Sequence, residues 1–389
     1  MVALREVEVV HSLKLHLREH GLRGSPVSDI VVDADGSYRN SRLARELEPM
    51  APVRIGAYRP DLVCMAQTSR GPLVVAFEVK ADLTLWQKGI TQARSYRAGV
   101  HHAYLALPGE GAAHHRRTLE EDAGEGGLGV LYMEDGGWLE RMAPRDPRPI
   151  PWELENTAAA LRGIPALRHL QLNHPLNYLV VPVLRVLRPE LSPFEALAAA
   201  WPDLPAEASR AYAVQGAQSL GLLDGGYALT VEGAVAADLL LELGFRPERR
   251  IDKRGRLATA EPGIAAVARS VLLRQHAVQL VFETLLVAPG HRLSTVELYW
   301  RARERNEVLA GILFLSDPGR DLAPGGSPPP GAFNASTPHK LRQALYHAGI
   351  VREGKHRTAG AAATSYRPEQ DVWELDPVLA GRVSATCRG

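Results

Sequence analysis

The sequence predicts two architectures in one chain: an α/β N-terminal part with a mixed β-sheet flanked by helices, then a mainly α-helical C-terminal part. Three observations carry this. Residues 59–66 and 73–80 are rich in branched and aliphatic side chains and flank the polar, turn-forming stretch Gln67-Thr68-Ser69-Arg70-Gly71-Pro72, the pattern of a hairpin. A helical stretch and a further apolar run, 101–108, follow it, the alternation of an α/β sheet. Beyond Asn177 the apolar spacing is that of helices, and Ser192-Pro193 sets a serine N-cap before a proline at the first helical position.

The elements follow in order. Leu4, Val7, Val10, Leu13 and Leu17 line one side of a helix over 3–20, closed by Gly21. Ile30-Val31-Val32 before Asp33-Ala34-Asp35-Gly36 is a short strand and turn, and Asn40 or Ser41 caps a short element that Pro49 stops. The hairpin comes next, then a helix carrying Gln92 and Tyr96, a strand over 101–108, a helix near 114–123 and a strand over 129–133. The glycine-rich run 124–129 leads into a strand instead of from strand to helix, so it is a turn and not a dinucleotide loop. The pairs His101-His102 and His114-His115 lack further ligands at zinc-site spacing.

Side chains alternate along a strand, so Glu78 and Lys80 share one face while Phe77 and Val79 point into the core. An antiparallel partner places Asp61 beside them. Two carboxylates a few ångströms apart repel unless a cation lies between them, and hard oxygen donors favour Mg²⁺. That ion keeps several waters and takes few protein ligands, which leaves room for a phosphate oxygen and an attacking water. A lysine within reach can orient the water, help to deprotonate it or offset charge on the phosphate. These parts suffice for phosphodiester hydrolysis.

Asp61 followed seventeen residues later by Glu78-Val79-Lys80, with Arg59-Pro60-Asp61 supplying a Pro-Asp pair, resembles the PD-(D/E)xK, or restriction endonuclease-like, nuclease superfamily. Gln92 and Tyr96, one helical turn apart, resemble the Gln-x-x-x-Tyr motif of its RecB-like branch. The resemblance covers roughly residues 1–140. It implies a restriction-endonuclease-like core in which Asp61, Glu78 and the backbone carbonyl of Val79 hold Mg²⁺, or Mn²⁺ in its place. It implies that Lys80 positions and activates the water, and that Gln92 and Tyr96 support the site or touch DNA. Relatives often add a carboxylate from the first helix or from the segment before the Asp strand, where Glu8, Glu46 and Glu48 stand.

The proline-rich stretch 138–151 changes character and reads as a linker, giving a nuclease domain over 1–147 and a linker over 148–176. Residues 177–246 then show three helical stretches, an apparent hairpin over 221–230 and another helix, the plan of a winged helix. Residues 247–389 resemble a second, embellished winged helix, with a long helix over 265–287, a capped helix from Ser294 and a loop over 316–336. A helix over 338–348 and a hairpin over 351–376 complete it. In that module Lys340, Arg342 and Gln343 suit DNA base edges and phosphates, and Lys355, His356 and Arg357 suit a wing on the backbone.

Charge supports the division. Residues 1–245 carry 24 Lys and Arg against 30 Asp and Glu, a net −6; residues 246–389 carry 21 against 14, a net +7. Two cysteines, Cys64 and Cys387, form no disulfide framework, and no apolar run approaches a membrane span. A soluble, cytoplasmic protein with no membrane partner is expected. The resemblance and the modules together imply a Mg²⁺-dependent DNA endonuclease of restriction or defence type, acting on double-stranded DNA as a homodimer at least on the substrate. The alternatives are a catalytically inactive, nuclease-like DNA-binding regulator and a subunit of a transposition or defence complex.

Overall fold

The structure, a computed structural model, describes residues 5–109, 115–135, 137–145, 149–248, 255–318, 320, 322–323, 329–353 and 366–386. The chain divides into two compact units, Met1–Ile164 and Pro165–Gly389.

The first unit is α/β. Its elements are α1 (Glu6–His20), β1 (Val27–Val32), α2 (Gly36–Arg39), α3 (Ala44–Leu47), β2 (Leu62–Thr68), β3 (Gly71–Val79), α4 (Trp86–Tyr96), β4 (His102–Pro108), α5 (Arg116–Glu125), β5 (Gly129–Glu134), β6 (Gly137–Met142) and the start of α6 (Pro151–His169). One six-stranded mixed sheet runs in the order β1-β2-β3-β4-β5-β6. Pairing is antiparallel except at β3–β4 and β4–β5, which are parallel and joined by the crossover helices α4 and α5.

The central strands are buried on both faces, as a strand between helices must be. Alternate residues sort to the two sides. Phe77 and Val79 join Val9, Val10, Leu13 and Leu17 of α1 in one apolar core. Glu78 and Lys80 face α4, and Gly89 makes this approach possible. A Cβ at Gly89 would lie 2.7 Å from Leu105 Cδ1 and 3.2 Å from Lys80 Cγ. The hairpin is longer and tighter than the turn composition suggests, for Gln67 and Pro72 are paired strand residues and only Ser69-Arg70 remain between the strands.

Where the sequence predicts a linker, the first unit has more structure. Trp138 lies in β6 and is buried against the core. Most of 148–176 is the helix α6, with Pro151 at its start, where a missing N–H costs nothing. The Ile150 N–H donates to the Ala98 carbonyl at 2.8 Å, and a Cβ at Gly99 would stand 3.1 Å from Thr157 Oγ1, so this helix packs on the first unit. Within 138–151, residues 146–148 lie outside the described residues.

The second unit is mainly helical: α7 (Leu176–Leu187), α8 (Pro193–Ala200), α9 (Glu207–Ser219), α10 (Val231–Glu242), α11 (Leu257–Ala260), α12 (Pro262–Leu272), α13 (His276–Leu286), β7 (Arg292–Ser294), α14 (Thr295–Arg305), α15 (Glu307–Phe314), α16 (Ser336–His347), β8 (Val372–Glu374) and α17 (Pro377–Thr386). Capping boxes at Ser192/Glu195 and Ser294/Glu297 start α8 and α14 as predicted. Two expectations are corrected. The helix expected over 265–287 is two, broken between Leu272 and His276. The hairpin expected over 221–230 is a single antiparallel bridge, Leu223 to Leu229. The arms of the segment 351–376 do pair, Val351 bridging Leu375 and the Arg352 N–H donating to the Glu374 carbonyl at 2.9 Å; β8 pairs with β7 as well, and 354–365 lie outside the described residues. Among the described residues no helix is long and apolar enough to cross a membrane.

Because α6 is bonded to the first unit, a fragment 1–164 should melt higher than a fragment 1–147. The expected difference is about 2 kcal/mol, on the order of 5 °C in Tm, read by circular dichroism. Equal melting temperatures would show that the helix adds nothing to this unit.

Candidate active site

The β2–β3 register builds the site. Leu62 pairs with Phe77, so Asp61, one residue earlier, stands beside Glu78. The Asp61 Oδ2 accepts the Val79 backbone N–H at 2.7 Å and its Oδ1 accepts the Tyr38 hydroxyl at 2.6 Å. Lys80 Nζ donates to Glu78 Oε1 at 2.6 Å and to the Val79 carbonyl at 2.9 Å. From α4 the Tyr96 hydroxyl reaches the other oxygen of Glu78 and also lies 3.1 Å from the Arg59 carbonyl. Asp61, Glu78, Val79, Lys80 and Tyr96 are therefore one cluster, contributed by three consecutive elements.

The electrostatics follow from burial. Glu78 is 2% exposed and Lys80 6%. Burial, and then the Glu78 charge, hold the Asp61 carboxyl well above the ordinary range. Burial likewise raises Glu78, opposed by the Lys80 ammonium. For Lys80 burial pulls downward, but the Asp61 and Glu78 carboxylates outweigh it and leave the amine above the ordinary lysine value. Lys80 is thus an ammonium that donates; it has no lone pair with which to take a proton.

Gln92 sits one turn before Tyr96 on α4, yet makes no hydrogen bond to the site; its Oε1 is buried without a partner. Two of the extra carboxylates suggested by sequence are engaged elsewhere: Glu8 caps α1 and pairs with Arg42 at 2.9 Å, and Glu46 pairs with His11 at 2.7 Å. At the third position, Glu48, the main-chain carbonyl accepts Lys14 at 2.5 Å. Glu6 comes near instead, 3.2 Å from the Tyr38 hydroxyl and 3.8 Å from Lys80 Nζ. It stands four, seven and eleven residues before Val10, Leu13 and Leu17, on the buried side of α1, where helical spacing singles it out as the one acid among apolar residues. Asp33 and Arg59 complete the surroundings at 3.6 Å, with Asp35 at 3.9 Å from the same guanidinium.

Compared with known proteins, the chain matches no family model and no curated protein. The site is read from its own geometry. Oxygen donors dominate it, and Asp61, Glu78 and the Val79 carbonyl are a donor set that suits a hard divalent cation. Among the described residues no group of three or more His, Cys, Asp and Glu side chains is arranged as a metal site; the set named here has two carboxylates, with a main-chain oxygen as the third member.

The residues expected to contact DNA fare differently. Arg342 is fully buried, with its guanidinium 2.5 Å from Asp371 Oδ1, 2.7 Å from the Val372 carbonyl and stacked 4.3 Å over Trp373. It is an internal ion pair and not a donor for a groove. The sequence shows a basic residue on a helix, but not the aspartate 29 positions later that claims it. Lys340 donates to Gln171 at 2.6 Å, and Gln343 is half-buried on α16. Lys355, His356 and Arg357 lie outside the described residues.

Burial pushes the Asp33 carboxyl up to about 6, against the opposing pull of Arg59. A carboxyl raised in the folded state contributes stability that is complete below its unfolded value of 3.8 and is lost as pH rises through the folded value. Asp33→Asn removes this loss and keeps an acceptor for the Ala34 N–H. Its stability relative to the parent should therefore rise by about 2 kcal/mol between pH 4.5 and pH 7 in denaturant titrations. A pH-independent difference would refute the assignment.

Proposed function

We propose that this chain is a Mg²⁺-dependent endonuclease that hydrolyses DNA phosphodiester bonds, of restriction or defence type. Its N-terminal unit would be built as a PD-(D/E)xK core, its C-terminal unit would supply winged-helix DNA recognition, and it would act as a homodimer on double-stranded DNA. The observation that supports this best is the Lys80 ammonium held between Glu78 Oε1 and the Val79 carbonyl, with Asp61 on the adjoining strand. A cation already stands among the oxygens that would ligate another.

In this reading Asp61, Glu78 and the Val79 carbonyl hold Mg²⁺, or Mn²⁺ in its place. When bound, the ion supplies Lewis acidity at the scissile phosphate. Lys80, kept protonated by its neighbours, donates hydrogen bonds to the attacking water or to a phosphate oxygen and offsets the charge that builds there. Tyr96 fixes one oxygen of Glu78 and Tyr38 one oxygen of Asp61, so both carboxylates keep their orientation. The water attacks in line and expels the 3′-oxygen, which leaves a 5′-phosphate, as the family resemblance implies.

One observation favours a second reading, the catalytically silent DNA-binding regulator. Every carboxylate oxygen of Asp61 and Glu78 already accepts a hydrogen bond from the chain itself. A calorimetric Mg²⁺ titration separates the two, for the regulator takes up no ion at this site.

Incubation with modified and unmodified duplexes in Mg²⁺ or Mn²⁺, followed by mapping of the ends, tests the activity. Lys80→Ala should lower the cleavage rate by about 10²–10⁴-fold while leaving DNA affinity within a few-fold of the parent. Unchanged turnover would remove Lys80 from the mechanism, and single-strand nicks as the sole product would count against a dimer.

A further inference from the structure

The four oxygens of Asp61 and Glu78 are all occupied, yet among the described residues three of the four donors on them have a second acceptor at hand. The Tyr38 hydroxyl, which donates to Asp61 Oδ1 at 2.6 Å, lies 3.2 Å from Glu6 Oε1. The Lys80 ammonium, 2.6 Å from Glu78 Oε1, lies 3.8 Å from Glu6 Oε2. The Tyr96 hydroxyl, on Glu78 Oε2, lies 3.1 Å from the Arg59 carbonyl. The fourth donor, the Val79 N–H on Asp61 Oδ2, is main chain and belongs to β3. Glu6 thus turns one oxygen toward each of two donors, while its own side chain stays 40% exposed. A hydroxyl changes acceptor by turning about its C–O bond, and an ammonium by a small rotation at the end of a flexible stem. Neither move needs the backbone.

We infer that Glu6 is a positioning residue, which takes over the Tyr38 hydroxyl and the Lys80 ammonium when these release Asp61 and Glu78 to a divalent cation. The Arg59 carbonyl serves Tyr96 in the same way. Tyr38 is 2% exposed and Lys80 6%, so water is a poor substitute for a lost partner. Without Glu6, release would leave a buried hydroxyl with no acceptor and a buried ammonium short of one, and a buried donor left unpaired costs its full desolvation. With Glu6, the occupied carboxylates are a resting arrangement from which the donors can withdraw. Lys80 held by Glu6 also stays beside Glu78, with N–H groups left for a water or a phosphate oxygen. The inference rests on the reading of Asp61, Glu78 and the Val79 carbonyl as a site for a divalent cation. It goes beyond that reading in giving Glu6 the displaced donors instead of the ion.

The test is a double-mutant cycle on Glu6 and Tyr38 in the full chain, read as Mg²⁺ affinity by calorimetry. Glu6→Ala should weaken uptake of the ion about tenfold, because the Tyr38 hydroxyl then has no acceptor to move to. Tyr38→Phe, with no hydroxyl to displace, should bind at least as tightly as the parent. In the Tyr38→Phe background Glu6→Ala should cost no more than about threefold, the remainder being the loss of a nearby charge. Glu6→Gln, whose amide oxygen still accepts the hydroxyl, should stay within about threefold of the parent and shows that the position tolerates change. Circular-dichroism spectra that superimpose on the parent exclude a lost fold. An equal loss from Glu6→Ala in both backgrounds would make Glu6 a direct ligand or a distant charge; it would overturn this inference and leave the cation site standing. A parent that takes up no Mg²⁺ would overturn both. A parent that shows the coupling but never cuts DNA would uphold the inference and overturn the nuclease activity alone.

Discussion

Two carboxylates buried side by side are tolerable only with positive charge among them, and the first unit is arranged around that constraint. The antiparallel register of β2 and β3 brings Asp61 against Glu78, where their mutual repulsion and their burial act in the same direction. The Lys80 ammonium answers both. Removing one member of a buried pair generally costs about 3–5 kcal/mol, because the survivor keeps its charge without its partner. Such a cluster is expensive to maintain for stability alone, which is why a function is the better account of it.

The rest of the unit keeps these groups in place. α1 covers one face of the sheet with aliphatic side chains, which leaves the opposite face for α4. The absence of a side chain at Gly89 lets that helix settle onto Leu105 and the stem of Lys80, and this proximity brings the Tyr96 hydroxyl to Glu78. Packing at one glycine thereby sets the orientation of a carboxylate two turns of helix away.

Much of this was legible in the sequence, for reasons that can be named. Strand alternation put Glu78 and Lys80 on one face, the hairpin composition brought Asp61 alongside, and helical spacing put Tyr96 on the face of Gln92. Those are local, periodic signals. The contribution of Tyr38 was not legible, since it reaches the site through tertiary approach from a short element, whereas Glu6 was marked by its place on the apolar side of α1 and was overlooked. Arg342 shows the same limit in reverse: its basic character was visible, and its burial against Asp371 was not. The helix α6 escaped notice because prolines and charged residues before it read as a linker, although a proline is at home in a first turn.

The two tyrosines beside the carboxylates have one more implication. A hydroxyl owns a single hydrogen, yet Tyr96 lies within bonding reach of both Glu78 and the Arg59 carbonyl, and Tyr38 of both Asp61 and Glu6. Each hydroxyl can therefore serve only one of its two acceptors at a time, and a carboxylate is the stronger claimant. A divalent ion entering the cluster would have to displace these hydrogen bonds and, because both acids are held above their ordinary range, would compete with protons, so that occupancy would be tied to acidity.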